Sequence, residues 1–107
     1  MQVLITARHC DISQRFRDRI TAEAESLRKI WDRINSAEIV LSEDAGVQRA
    51  DVTIRLSHHV FNARGQGATH QQAFGVALEK AERQLRKFKG KLVGRRNGQQ
   101  REISTVT

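Results

Sequence analysis

Along residues 2–7, QVLITA, the positions Val3, Ile5 and Ala7 alternate with Gln2, Leu4 and Thr6, a two-residue period that suits a strand with at least one buried face. From about Ser13 to Ile34 the period changes. Phe16, Ile20, Ala24, Leu27, Trp31 and Ile34 recur at threes and fours, which predicts one long amphipathic helix. Ser13 is placed to cap its start, and Asn35 suits a left-handed end. Three further strands follow in AEIVLS (37–42), ADVTIRLS (50–57) and VFNARG (60–65). The middle one is the clearest, with Val52, Ile54 and Leu56 on one face and Asp51, Thr53, Arg55 and Ser57 on the other. The polar stretches EDAGVQR and SHH between them read as hairpin connections.

After GQGA, Thr69 is placed to cap a second helix whose apolar stripe is Ala73, Phe74, Ala77, Leu78, Ala81, Leu85, Phe88 and Leu92. The chain has no proline, so nothing of that kind cuts either helix short. The predicted order is β-α-β-β-β-α, an α+β sandwich in which two helices pack on one face of a four-stranded sheet. Residues 93–107 have no period and read as a flexible C-terminal tail or linker, leaving 1–92 as a single domain.

Charge changes what this fold is expected to do. The 107 residues carry 19 Lys and Arg against 12 Asp and Glu, a formal charge of +7, and the isoelectric point is near 10.8. Such a field attracts polyanions, either nucleic acid or an anionic membrane surface. No apolar run approaches the roughly 20 residues needed to span a bilayer, and the start lacks a signal peptide's layout. A lone cysteine, Cys10, forms no internal disulfide and belongs to no zinc-ligand spacing, so a reducing cytoplasm is the expected setting.

The positive residues are patterned. On the second helix Lys80, Arg83 and Lys87 fall within roughly 60° of one another beside the apolar stripe, flanked by Arg86 and Lys91, and Lys89, like Lys80, Lys87 and Lys91, has no obvious acidic partner. On the first, Arg15, Arg19, Lys29 and Arg33 fall within about 80°, again next to the buried face. If the helices lie side by side, the two stripes combine into one basic surface. Glu79 and Glu82 stand four residues before Arg83 and Arg86, the favourable order for helix ion pairs.

Several chemistries are disfavoured. The chain is 5% aromatic with no tyrosine and lacks the aromatic signature with which RRM domains stack bases, and GQG is one residue short of a KH loop. Trp31 and Phe88 lie on the apolar stripes and read as core, not as stacking platforms. His9, His58, His59 and His70 could supply the acid and base of an RNA-cleaving enzyme, but the adjacent His58 and His59 would point to opposite faces of a strand. No catalytic, metal or cofactor site is expected; Cys10 reads as a small buried residue at the end of the first strand.

The pieces MQVLITARHCDIS, WDRINSAEIVLS, ADVTIRL and above all KAERQLRKFKGKL resemble the ribosome hibernation-promoting factor family, also described as sigma-54 modulation proteins, over residues 1 to about 92. The resemblance implies a fold related to double-stranded-RNA-binding domains. It implies a bacterial, cytoplasmic, monomeric binding protein whose partner is the small ribosomal subunit and the whole ribosome, with no small-molecule substrate and no membrane. Seated in the channel where messenger RNA and transfer RNA bind, such proteins silence and protect idle ribosomes during starvation or stationary phase. It further implies rRNA contacts at Lys80, Arg83, Arg86 and Lys87, extending to Lys89 and Lys91, whereas Arg15, Arg19, Lys29 and Arg33 rest on charge placement. At the start of the second helix this chain departs from the family pattern, with Thr69, Gln71 and Gly75. The alternative is a general double-stranded RNA or DNA chaperone without ribosome preference.

Overall fold

A computed structural model describes the backbone of residues 1–96 and the side chains of residues 1–90. Its elements follow the order read from the pattern: β1 (Gln2–Arg8), α1 (Gln14–Glu25), a 3-10 turn (Ser26–Lys29), β2 (Ser36–Asp44), β3 (Val47–Arg55), β4 (Val60–Gly67) and α2 (His70–Arg96). The four strands form one sheet in the order β1-β2-β3-β4. β1 runs parallel to β2, as the intervening α1 crossover requires, and the other two pairs are antiparallel hairpins.

Register puts the apolar residues in rows. Ile5 pairs with Ile39, Ile39 with Val52, and Val52 with Ala63, so one sheet face is continuous across all four strands. Phe16, Ile20 and Ala24 of α1 and Ala73, Phe74, Ala77, Ala81 and Leu85 of α2 close over that face. Ile20, Ile39 and Leu85 are fully buried, each contributing about 1.5–3 kcal/mol of transfer free energy. Both helices therefore cover one face, as the periodicity predicts. They run in the same sense: Phe16 packs edge-on to Phe74 at 6.3 Å near the start of both helices, and Trp31, just after the 3-10 turn that follows α1, packs on Phe88 at 5.4 Å late in α2.

Both predicted N-caps form. The Phe16 amide donates to Ser13 Oγ at 3.1 Å, and the Gln72 amide donates to Thr69 Oγ1 at 3.1 Å. At Gly65 the sheet and α2 come into backbone contact: a Cβ there would collide with the Ala73 carbonyl and lie 2.7 Å from the Ala77 nitrogen. Only glycine leaves room for that approach.

Three boundaries differ from the sequence expectation. α1 does not continue to Ile34. Ser26 Oγ donates back to the Glu23 carbonyl at 2.6 Å, and the Leu27 carbonyl then accepts from both Ile30 and Trp31, tightening the chain into a 3-10 turn. Asn35 is consequently not a helix end, and its φ is not positive. Most of EDAGVQR is strand, with the connection reduced to Ala45 (φ 53°) and Gly46 (φ 82°), a two-residue turn of the primed kind that matches strand twist. α2 passes the expected boundary at residue 92 and is helical to Arg96; the remainder of the expected tail, 97–107, lies outside the described residues.

Candidate nucleic-acid interface

The sheet's two faces and the helical layer differ in charge. On the sheet face away from the helices, Arg55 pairs with Glu38 at 3.4 Å, Arg64 with Asp51 at 3.1 Å and Arg49 with Asp44 at 3.8 Å. Asn62 adds bonds to Asp51 and to Thr53. The charged residues projecting there or at its hairpin end are Arg8, Arg49, Arg55 and Arg64 against Glu38, Glu43, Asp44 and Asp51. Their charges cancel. The positive excess belongs to the helical elements and the C-terminal segment.

Within the helical layer the expected site residues divide into groups, and the single basic surface foreseen from two stripes does not form as such. Lys80, Arg83 and Lys87 lie on one flank of α2, facing the free edge of β4, and all three are exposed. Lys80 Nζ donates to the Arg64 main-chain carbonyl at 3.0 Å, while Gln84 Nε2 donates to the Asn62 carbonyl at 3.2 Å. Arg83 is held by Glu79 at 3.8 Å, the pair its spacing predicts; among the described residues Glu82 and Arg86 make no ion pair. Arg86 and Lys89 project from the opposite flank. The Lys91 side chain lies outside the described residues.

Arg15 and Arg19 occupy the early part of α1, where Arg19 is tied to Glu23 at 2.7 Å. Because α1 ends at Glu25, Lys29 stands in the 3-10 turn and Arg33 in the segment before β2, off the helical stripe assigned to them. What brings them to the site is packing. Trp31 on Phe88 carries this segment to the late part of α2, so Arg28, Lys29, Arg33 and Lys89 surround one cavity beside Trp31. Arg28 was not among the residues selected from sequence, because no helical period reaches it from the other cations.

Trp31 and Phe88 are half-buried rather than sealed in the core. Phe88 is the centre of an aromatic cluster: Trp31 at 5.4 Å, Phe61 at 5.4 Å and the exposed His59 at 4.6 Å. Sequence reasoning missed His59 because the SHH turn gives no hint that its ring will fold over α2. The other histidines do not converge on a reaction centre: His70 Nε2 lies 3.1 Å from the Ser42 carbonyl, and His58 is exposed in the β3–β4 turn. Cys10 is half-buried, with Sγ donating to the Leu41 carbonyl at 3.7 Å. Burial pushes its thiol pKa up. Among the described residues no three His, Cys, Asp or Glu side chains gather as a metal site would require, and no helix is long and apolar enough to cross a membrane.

The arrangement suits contact with a phosphate backbone: exposed cations on the helices, with few acids among them. A profile of the sigma 54 modulation protein / S30EA ribosomal protein family matches residues 3–93. A ribosome hibernation promoting factor from Klebsiella oxytoca is 34% identical over 92 residues, which is 86% of this chain and 97% of that protein. A ribosome hibernation promotion factor from Rhizobium meliloti (strain 1021) is 32% identical over 100 residues, 92% of this chain but 53% of its own length. In fold, a ribosomal subunit interface protein from Coxiella burnetii superposes with a TM-score of 0.75 at 22% identity, covering 84% of this chain and 99% of that one.

Proposed function

The chain belongs to the sigma 54 modulation protein / S30EA ribosomal protein family, and from that premise we propose that it is a ribosome hibernation factor. It binds small-subunit rRNA in the decoding channel, excludes messenger RNA and transfer RNA by occupying their place, and so silences and protects idle ribosomes in the cytoplasm. It acts as a monomeric binding protein and not as an enzyme. The observation that carries the reading is the match to a hibernation promoting factor over 97% of that relative's length. The exposed α2 cations Lys80, Arg83, Arg86, Lys87 and Lys89 supply the means. Affinity comes from phosphate neutralisation, and specificity from the shape of the RNA surface that accepts the helical layer.

The test is co-sedimentation with purified small subunits over a salt series, with and without bound messenger RNA and transfer RNA. Saturable one-to-one binding displaced by those ligands is the expected result. Binding that fades with salt but ignores the ligands would overturn the decoding-channel assignment. Excess bulk duplex RNA should compete poorly; a general chaperone would be titrated away by it. Reversal of Lys80, Arg83 and Lys87 to glutamate should leave the fold intact and abolish co-sedimentation.

A further inference from the structure

The surface around Trp31 has a composition that phosphate contact alone does not explain. Two cavities meet at this residue. One, of about 210 Å³, is lined by Trp31, His58, His59 and Phe88 with Arg33 at its margin. The other, of about 390 Å³, is lined by Arg28, Lys29, Arg33 and Lys89 together with Trp31 and a single acid, Asp32. Trp31 and Arg33 are common to both. An aromatic recess thus opens directly beside a cationic one.

The aromatic recess is preformed. Phe88 sits between Trp31 and His59, packing on Trp31 at an interplanar angle of 62° and on His59 at 35°. Phe61 supports both Phe88 and His59 from β4, at 5.4 Å and 4.9 Å. The rings are held in place by one another and by the core, so little ordering is needed when a planar group enters. Among the described residues none of Arg28, Lys29, Arg33 and Lys89 makes an ion pair, in contrast to the paired Arg19, Arg49, Arg55, Arg64 and Arg83. Four unpaired cations facing one acid call for an anion at that point, and the aromatic walls call for a flat ring attached to it.

We infer that this surface receives one unstacked nucleotide of RNA, its base against Trp31 and His59 and its flanking phosphates against Arg28, Lys29, Arg33 and Lys89. A base inside a duplex is covered by its neighbours and cannot enter; a bulged or extruded one can. Aromatic stacking tolerates any base, so the recess selects an unpaired position and not a sequence. The inference rests on the proposed RNA-binding function and deepens it, adding a local shape feature to an otherwise electrostatic contact.

Trp31 is the chain's only tryptophan, so its fluorescence reports the recess alone. The experiment titrates the full chain with an RNA hairpin carrying one bulged adenosine and with the same hairpin fully paired, reading Trp31 emission and affinity. Saturable quenching by the bulged hairpin and at least about fivefold tighter binding to it than to the paired one are expected. The exposed His59→Ala variant, whose fold is checked by circular dichroism, should lose most of that preference, and Trp31→Leu should lose it too. Equal affinity for the two hairpins with unchanged emission overturns the inference, as does equal quenching by poly-glutamate, which would mark an acidic peptide as the occupant. Wild-type co-sedimentation with small subunits is run alongside. If it is normal and the hairpins are not distinguished, this inference alone fails; if it is absent while the bulged hairpin is preferred, the ribosome reading fails and the nucleotide recess stands.

Discussion

The Lys80 ammonium sits 3.0 Å from the main-chain carbonyl of Arg64, so a residue selected from sequence as a free phosphate contact is already engaged inside the protein. Together with Gln84 on Asn62 it satisfies outward-facing carbonyls along the open edge of β4. Lys87, one flank position further along α2, has no ion-pair or hydrogen-bond partner among the described residues. The two lysines are therefore not equivalent. Lys87→Ala should reduce the magnitude of the salt slope of small-subunit binding by about 1. Lys80→Ala should reduce it by less and also loosen the β4 edge, costing about 0.5–1 kcal/mol of stability. Equal slope changes and equal stabilities would contradict this ranking.

Glycine-to-alanine substitutions at two positions should have opposite signs. Gly65→Ala places a methyl group against the Ala73 carbonyl and the Ala77 nitrogen, both backbone atoms that cannot yield without moving α2. A loss of about 1–3 kcal/mol is expected. Gly75 has open space around its Cβ position, so Gly75→Ala should stabilise α2 by up to about 1 kcal/mol. Urea denaturation midpoints of the two variants, read against the parent, check both.

The β2–β3 turn places Ala45 at φ 53°, a region alanine occupies at a cost. Ala45→Asn gives the Asn-Gly pair that two-residue primed turns prefer. It should raise stability by roughly 1 kcal/mol without affecting RNA binding, because the turn lies on the charge-balanced side of the sheet. A thermal melt and a co-sedimentation assay of the same variant separate the two statements.

Burial raises the Cys10 pKa, and the thiolate is the reactive form, so the folded protein should present less thiolate than an unfolded chain at neutral pH. Alkylation of Cys10 should be slower in the native protein than in denaturant at pH 7–8. The native rate should keep climbing with pH beyond the point where the denatured rate levels off. A native rate that levels off first would reverse the assignment.

Much of the fold is legible in the apolar spacing because each face is uniform: Val52, Ile54 and Leu56 leave one orientation for β3, and the stripe from Ala73 through Leu85 and Phe88 leaves one for α2, its last expected member, the Leu92 side chain, lying outside the described residues. The end of α1 was not legible. Leu27, Ile30 and Ile34 are all buried, and a helix or a tightened turn serves those spacings equally well. The positive φ of Ala45 had no signal either, since alanine is not a residue that announces it. At the candidate site, α2's cations could be chosen by counting along one helix. The meeting of Lys89 with Arg28, Lys29 and Arg33 could not, because it depends on Trp31 docking against Phe88 across the helical layer.

The cancellation of charge on the outer sheet face gives the molecule a direction. With arginines and acids balanced there and the surplus gathered on the helical layer, a nearby polyanion exerts a torque as well as a pull. The protein turns its helices forward before it touches, over a distance set by the Debye length, about 10 Å at 0.1 M salt. Fewer encounters are then wasted in the wrong orientation, so added salt should slow association more steeply than the loss of attraction alone would do.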